Sequence, residues 1–219
     1  MELERSIGEK IITPDEEALR KLKAFEQLMT MYKCAIREVK TKFEVLNDDL
    51  SVRNSRNPIE MIKTRIKSPA SIVEKLRRLG CDVTTDSIVA NLNDVAGARI
   101  ICAFVDDIYE VANMFIQQDD VRLIKIKDYI KNPKENGYRS YHMIVEVPVF
   151  FADRKQFMRV EVQFRTIAMD FWASLEHRIK YKKSVTNPEE IMRELKECAD
   201  TIADTDQRML DIRKKIIFS

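Results

Sequence analysis

The stretch NPKENGYRSYH, residues 132–142, places an aromatic ring (Tyr138), two cations (Lys134 and Arg139), an amide (Asn136) and an imidazole (His142) around Gly137, in a chain with only four glycines. A pliant point flanked by a flat ring and cations suits a grip on a planar, anionic ligand. Asn-Gly is also a common turn dipeptide and Tyr138 could pack at a strand edge, so this stretch alone leaves both readings open. Farther on, FMRVEVQFRT (157–166) alternates, with Met158, Val160, Val162 and Phe164 on one face and Arg159, Glu161, Gln163 and Arg165 on the other. In RLIKIKDY, Lys125 and Lys127 share a face opposite Ile124 and Ile126, and His142 falls opposite Tyr141, Met143 and Val145. Several strands thus offer a polar side, which is either a solvated surface or one convergent site. Asp94 stands just before AGARII; alone it reads as a cap or turn residue, but paired in space with Glu161 it makes a Mg²⁺ site. That ion takes one or two carboxylates and completes its shell with water and phosphate oxygens. Gly97, three residues on, lets something approach the backbone closely.

RIKSPASIVEK (65–75) supplies Arg65 and Lys67 ahead of a helix start, Ser68 and Ser71 in its first turn, and Lys75 beyond. A helix N-terminus with hydroxyls and nearby cations suits phosphate, and a capped helix with solvated lysines fits the same residues. Neither G-x-x-x-x-G-K-[ST] nor G-x-G-x-x-G occurs, so any phosphate must be held by side chains.

Elements of clear period must carry these residues. Thr13-Pro14, Asn57-Pro58, Ser68-Pro69 and Asn187-Pro188 each pair a cap residue with proline, predicting helix starts, and Glu16, Glu60 and Glu190 complete a capping box in three of them. From Thr13, Ala18, Leu22, Phe25, Met29, Tyr32, Ile36, Val39, Phe43 and Leu46 alternate spacings of four and three, which predicts one long helix. Ile191, Leu195, Cys198, Ile202, Met209, Ile212 and Ile216 repeat that seam near the other end, interrupted at Thr205. The two long helices embrace the central fold or build an oligomer interface. Between them a helix from Ser68 to Leu79 stops at Gly80, AGARIICAFV (96–105) reads as a buried strand, and DDIYEVANMFIQQ as a helix. VRLIKIKDYI, YHMIVEVPVF and FMRVEVQFRT follow as strands, the last two an antiparallel pair joined by 150–156, and MDFWASLEHRIKYK returns to helix. The pattern predicts an α+β domain with a mixed sheet flanked by helices.

Composition narrows the function. The 219 residues, 45% of them hydrophobic, are enough for a buried core, and 38 basic against 36 acidic residues exclude a polycationic nucleic-acid or membrane binder. Four scattered cysteines and two histidines argue against a zinc site or a disulfide frame and for a reducing cytoplasm. No apolar run has the length of a membrane span, and the first thirty residues hold no signal-like segment.

Taken in order, RIKSPASIVEK, NDVAGARIICAFVDDI, KDYIKNPKENGYRSYH, VEVQFRT and FWASLEH resemble the synthetase domain of the Rel/Spo family, and most closely its single-domain form, the small alarmone synthetases or GTP pyrophosphokinases. The resemblance implies a nucleotidyltransferase-like core over 57–183, preceded by an extension and long helix (1–56) and followed by a long helix (184–219) on the core or at an oligomer interface. No hydrolase domain precedes the match, so synthesis without hydrolysis is implied: transfer of the β,γ-pyrophosphate of ATP to the 3′-hydroxyl of GDP or GTP, with release of AMP. By resemblance, Asp94 and Glu161 hold Mg²⁺, and Glu161 also draws the proton from the 3′-hydroxyl. Arg65, Lys67, Ser71, Lys75 and Arg99 surround the ATP, with the two arginines stacking on adenine. Tyr138 lies on the guanine, with Lys127, Lys134, Asn136 and His142 around the acceptor and Gln163 and Arg165 on the same side, while Glu176 and His177 match a helix signature. Some relatives form tetramers that bind the alarmone in a central cleft, but Glu44 and Met61 occupy that neighbourhood here. Two alternatives stand beside this reading: the same chemistry on an adenosine nucleotide or a tRNA 3′ end, and a non-catalytic RNA-binding or helical interaction protein, with aromatic and basic side chains serving a single strand.

Overall fold

The computed structural model describes residues 14–54, 57–180 and 187–217. In chain order these form α1 (Pro14–Asn54), β1 (Ile59–Ile66), α2 (Pro69–Arg78), α3 (Thr85–Asn91), β2 (Ala96–Cys102), α4 (Val105–Ile116), β3 (Arg122–Asp128), β4 (Tyr141–Phe150), β5 (Lys155–Thr166), α5 (Ile167–Lys180) and α6 (Pro188–Ile217). The strands make one five-stranded sheet in the order β1-β2-β5-β4-β3. Only β2 and β5 run parallel; the other neighbours are antiparallel, so the sheet is mixed as expected.

Alternation divides the sheet into two faces. Ile100, Val160, Val162, Phe164, Met143 and Val145 point to the apolar side, where they form one core with Leu28, Tyr32, Val39 and Phe43 of α1 and Ile108 and Phe115 of α4. Phe43 stacks on Phe115 with ring centroids 4.4 Å apart and meets Phe164 edge-on at 5.6 Å, joining α1, α4 and β5 at one point. Such contacts each add about 0.5–1.5 kcal/mol beyond the area they bury. The periodicity of α1 is therefore satisfied against the sheet from Phe25 to Leu50, while Leu19 and Leu22 near its start are exposed. With α1 and α4 on one side, the polar side is left for other work.

Local signals act where the physics is local. Ser68 Oγ accepts from Ser71 N and Pro69 opens α2. Gly80, at φ 70°, closes it: Gly80 N donates to Arg77 O and Cys81 N to Leu76 O, the paired bonds of a Schellman cap. The start predicted at Thr13 lies outside the described residues.

Three expectations are corrected. Asn57-Pro58 opens the strand β1 instead of a helix. Its apolar residues Ile59, Ile62 and Ile66 have helical spacing because a bulge separates Ile59, opposite Cys102, from Met61, opposite Ile101, and so changes the face parity within one strand. The strand read over 96–105 ends at Cys102, and the short helix α3 was not foreseen. In α6 the buried line is Ala199 and Leu210 with half-buried Leu195, Ile202, Asp206 and Arg213, whereas Met209 and Ile212 face solvent. Polar residues in that line hid it from a hydropathy reading: Asp206 Oδ2 accepts from Thr166 Oγ1 at 2.5 Å, and Arg213 pairs with Asp106 and Asp107 at the start of α4. Among the described residues no helix is long and apolar enough to cross a membrane.

Candidate active site

Strand register aligns the polar face into rows. Lys127, His142, Gln163, Arg99 and Lys63 lie opposite one another across all five strands; the adjacent row holds Lys125, Ile144, Glu161, Gly97 and Arg65. Placing Lys63 and Arg65 on this side depends on the bulge in β1. A cleft lined by Lys63, Arg65, Gly97, Arg99, Glu161 and Gln163 opens over the centre of these rows. The close approach foreseen at Gly97 is made by Arg65, whose Cγ and Nε would stand 3.5 Å from a Cβ added there.

Asp94 sits where the chain enters β2, beside the end of β1, since Lys67 N donates to Val95 O at 2.8 Å. Its carboxylate meets Lys67 Nζ at 3.1 Å and Lys75 Nζ at 2.7 Å. Burial pushes its pKa up, but the two ammonium groups outweigh that and hold it below the ordinary value. Glu161 accepts from Gln163 Nε2 at 2.8 Å and lies 3.5 Å from His142 Nδ1. Here too burial raises the pKa, His142 and Gln163 more than reverse it, and the charge on Asp94 adds an upward push. The charge on Asp94 therefore reaches Glu161, and the partners of each carboxylate favour its ionised form.

The loop of the NPKENGYRSYH stretch joins β3 to β4 and is fastened along its length. Asn136 Oδ1 accepts from Tyr138 N, and its Nδ2 donates to Glu176 Oε1 on α5 at 3.2 Å, so this amide shapes the loop. Gly137 adopts φ 85°, and a Cβ there would come within 2.5 Å of the Ala199 Cβ on α6. The freedom expected of this glycine is used to fit a tight turn under a helix. Arg139 donates to Ala199 O and to Asp200 Oδ1, tying the loop to α6 a second time. Tyr138 OH accepts from Arg165 Nη2 at 2.8 Å and lies 2.9 Å from His142 Nε2. The ring has Lys134 Nζ at 5.0 Å and Arg165 at 5.2 Å from its centroid, so a base stacking on it must displace one of them. Lys134 is the exposed one.

Two residues that the sequence reading passed over belong to the same network. Asp170, in the first turn of α5, accepts from Arg99 Nη1 at 3.1 Å, Arg165 Nη1 at 3.0 Å and Lys63 Nζ at 3.0 Å. Burial raises its pKa, but these three cations more than reverse that and hold it below the ordinary value. An acid in a helix's first turn is ordinary, and Asn57-Pro58 predicts helix around Lys63, so the sequence alone points to neither. Ser71 is engaged in the α2 cap, its hydroxyl 2.9 Å from that of Ser68. The predicted residues thus fall into neighbouring groups: Arg65 and Arg99 on the polar face at the β1–β2 side, with Lys67, Lys75 and Asp94 clustered beyond the strand ends beside them, Lys127, Tyr138, His142 and Arg165 toward the β3–β4 side, and Glu161 with Gln163 between.

A sheet face with Glu161 at its centre, a second ionised carboxylate, Asp94, at the strand end beside it and cations on both flanks suits a polyphosphate. Residues 64–186 match the region found in RelA / SpoT proteins. The chain is 46% identical over 188 residues to the GTP pyrophosphokinase YwaC of Bacillus subtilis, covering 86% of this chain and 90% of that protein. Among solved structures, the small alarmone synthetase 2 of Bacillus subtilis aligns with a TM-score of 0.79 at 45% identity, over 87% of this chain and 98% of that one. The small alarmone synthetase 1 of the same organism, bound to its product pppGpp, aligns with a TM-score of 0.81 at 36% identity, over 89% and 98%. The chain belongs to the RelA/SpoT family.

Proposed function

We propose that this protein is a GTP pyrophosphokinase that makes the guanosine tetra- or pentaphosphate alarmone, transferring the β,γ-pyrophosphate of ATP to the 3′-hydroxyl of GDP or GTP. The observation that carries this reading is the convergence of Asp94, at the entry to β2, and Glu161, on the parallel neighbour β5, near enough that the charge on Asp94 pushes up the pKa of Glu161. Transfer to phosphorus is mainly positioning plus stabilisation of charge on the moving group. The polar face offers both.

ATP takes the β1–β2 side. Arg65 and Arg99 present planar guanidinium groups suited to stacking on adenine, and Lys67 and Lys75 meet the phosphates. In this structure both lysines rest on Asp94, and a polyphosphate would draw them away and leave the carboxylate open. The acceptor takes the β3–β4 side, its guanine on Tyr138 once Lys134 swings aside, with Lys127 and His142 near its phosphates and ribose. The 3′-oxygen attacks the β-phosphorus, a P–O bond forms there, and the bond to the oxygen bridging the α- and β-phosphates breaks, so that AMP leaves with that oxygen. The hydroxyl proton passes to Glu161, whose neighbours His142 and Gln163 fix its orientation.

Among the described residues no cluster of three or more histidine, cysteine or acidic side chains could cage a metal. The carboxylate pair nonetheless suits Mg²⁺, which needs only one or two protein carboxylates when water and phosphate oxygens complete its shell. Asp94 and Glu161 would hold it, and it would neutralise charge on the transferred group. The decisive experiment incubates the purified chain with ATP, Mg²⁺ and GDP or GTP. AMP should appear in step with a 3′-pyrophosphorylated guanosine nucleotide; no AMP overturns the proposal, and AMP formed only with an adenosine nucleotide or tRNA changes the acceptor.

A further inference from the structure

On one side of Asp170 stand Lys63 and Arg99, members of the row that reaches the ATP flank; on the other stands Arg165, which holds Tyr138 through its hydroxyl. Oδ1 serves both arginines, Arg99 at 3.1 Å and Arg165 at 3.0 Å, so a displacement of either guanidinium changes what the other can bond. The carboxylate is itself largely covered, with a side-chain exposure of 11%, and the Arg165 side chain is covered to 6% exposure. Such groups cannot trade partners freely with water. Asp170 also cannot wander, because the first turn of α5 is pinned by Thr166, whose Oγ1 accepts from Met169 N at 3.1 Å.

We infer that Asp170 is a positioning residue shared by the two nucleotide pockets, coupling the occupant of the Arg99 side to the setting of Tyr138 on the other through its common hydrogen bonds to Arg99 and Arg165. The inference rests on the assignment of ATP to Arg99 and of the acceptor base to Tyr138 made above. A nucleotide that orders Arg99 fixes the Asp170 carboxylate, which in turn fixes Arg165 and the ring it holds. By linkage the effect is reciprocal, so the acceptor must favour ATP by the same factor.

The geometry and the bare charge predict opposite results. Asp170→Asn removes a negative charge from among three cations, and if charge alone mattered, both polyanionic nucleotides would bind more tightly. If Asp170 positions, both bind more weakly. The test measures calorimetric binding of a non-hydrolysable ATP analogue and of GDP, each alone and with the other present, together with KM values, for the wild type, Asp170→Asn and Asp170→Glu. Wild type should show each ligand strengthening the other about fivefold or more. Both variants should lose most of that factor and bind both nucleotides more weakly. Asp170→Glu keeps the charge while shifting the carboxylate, and it carries the test should Asp170→Asn fold poorly. Val39→Ala, a core truncation in α1, supplies a chain of lowered stability with coupling intact. Tightening of both ligands, weakening of only one, or coupling equal to wild type overturns the inference. These are binding measurements, so they stand apart from the AMP assay, whose failure would strike the proposed reaction instead.

Discussion

Asp94 and its two lysines show how a single residue can be held ready. The carboxylate is kept ionised by Lys67 and Lys75, the side chains that would turn to phosphate when a nucleotide enters. Asp94→Asn should therefore leave the fold intact and reduce turnover by a factor on the order of 10²–10³, the usual loss when one preorganised electrostatic contact goes. Circular dichroism with AMP release checks both halves. The same residues set a sign for acid sensitivity. Asp94, Glu161 and Asp170 have folded pKa values below their ordinary ones, so each stabilises the fold above its unfolded pKa and loses that contribution as pH falls through its folded value. The melting temperature of the nucleotide-free chain should fall as pH drops below about 4, and the fall should be shallower in Asp94→Asn. Asp206 has the opposite sign: burial raises its pKa against the weaker pull of Thr166, so it works against the fold once ionised. At this scale the candidates Asp94, Glu161, Tyr138 and His142 stand out mainly through the family resemblance, because alone Asp94 reads as a cap or turn residue and Tyr138 as strand-edge packing. Asp170 was not legible, since three cations from three strands meet it only after the sheet has formed.

The loop between β3 and β4 and the helix α6 form a pair of elements that must be read together. Gly137 and Arg139 lie against Ala199 and Asp200, and Trp172 Nε1 donates to Leu195 O from the same side, so α6 lies along the back of the loop that presents Tyr138. Gly137→Ala meets two obstacles, a left-handed φ and a Cβ–Cβ distance of 2.5 Å. It should cost about 1–3 kcal/mol of stability, and the KM for GDP or GTP should rise well before that for ATP. Steady-state kinetics with each substrate varied in turn decides the matter, an equal rise in both counting against the loop as acceptor grip. Elements with regular alternation were legible, β4 and β5 almost residue by residue. In β1 and α6 the apolar pattern misled, in one because a bulge changes the facing parity, in the other because Asp206 and Arg213 occupy the buried line and find partners on β5 and α4.

Across the whole molecule the covering of the sheet is one-sided and incomplete. α1 buries its middle but leaves Leu19 and Leu22 exposed, and α6 leaves Met209 and Ile212 exposed. Apolar residues repeated along two long helices suit contact with a second copy of the chain. Self-association through these faces follows as an expectation, and sedimentation velocity over a range of concentrations should show it. Leu22→Glu with Ile212→Glu should shift the chain to a slower, concentration-independent boundary without loss of secondary structure.

The bulge between Ile59 and Met61 ties the make-up of the polar cleft to counting. Everything after it in β1 depends on one additional residue: with it, Lys63 and Arg65 look toward the polar cleft and Ile62 and Ile66 toward the core. A change of residue type at Glu60 leaves that parity untouched, but loss of a single codon there would turn each later side chain of the strand over, setting two cations against the apolar interior. In descendants of this chain the segment should drift freely in composition and hardly at all in length.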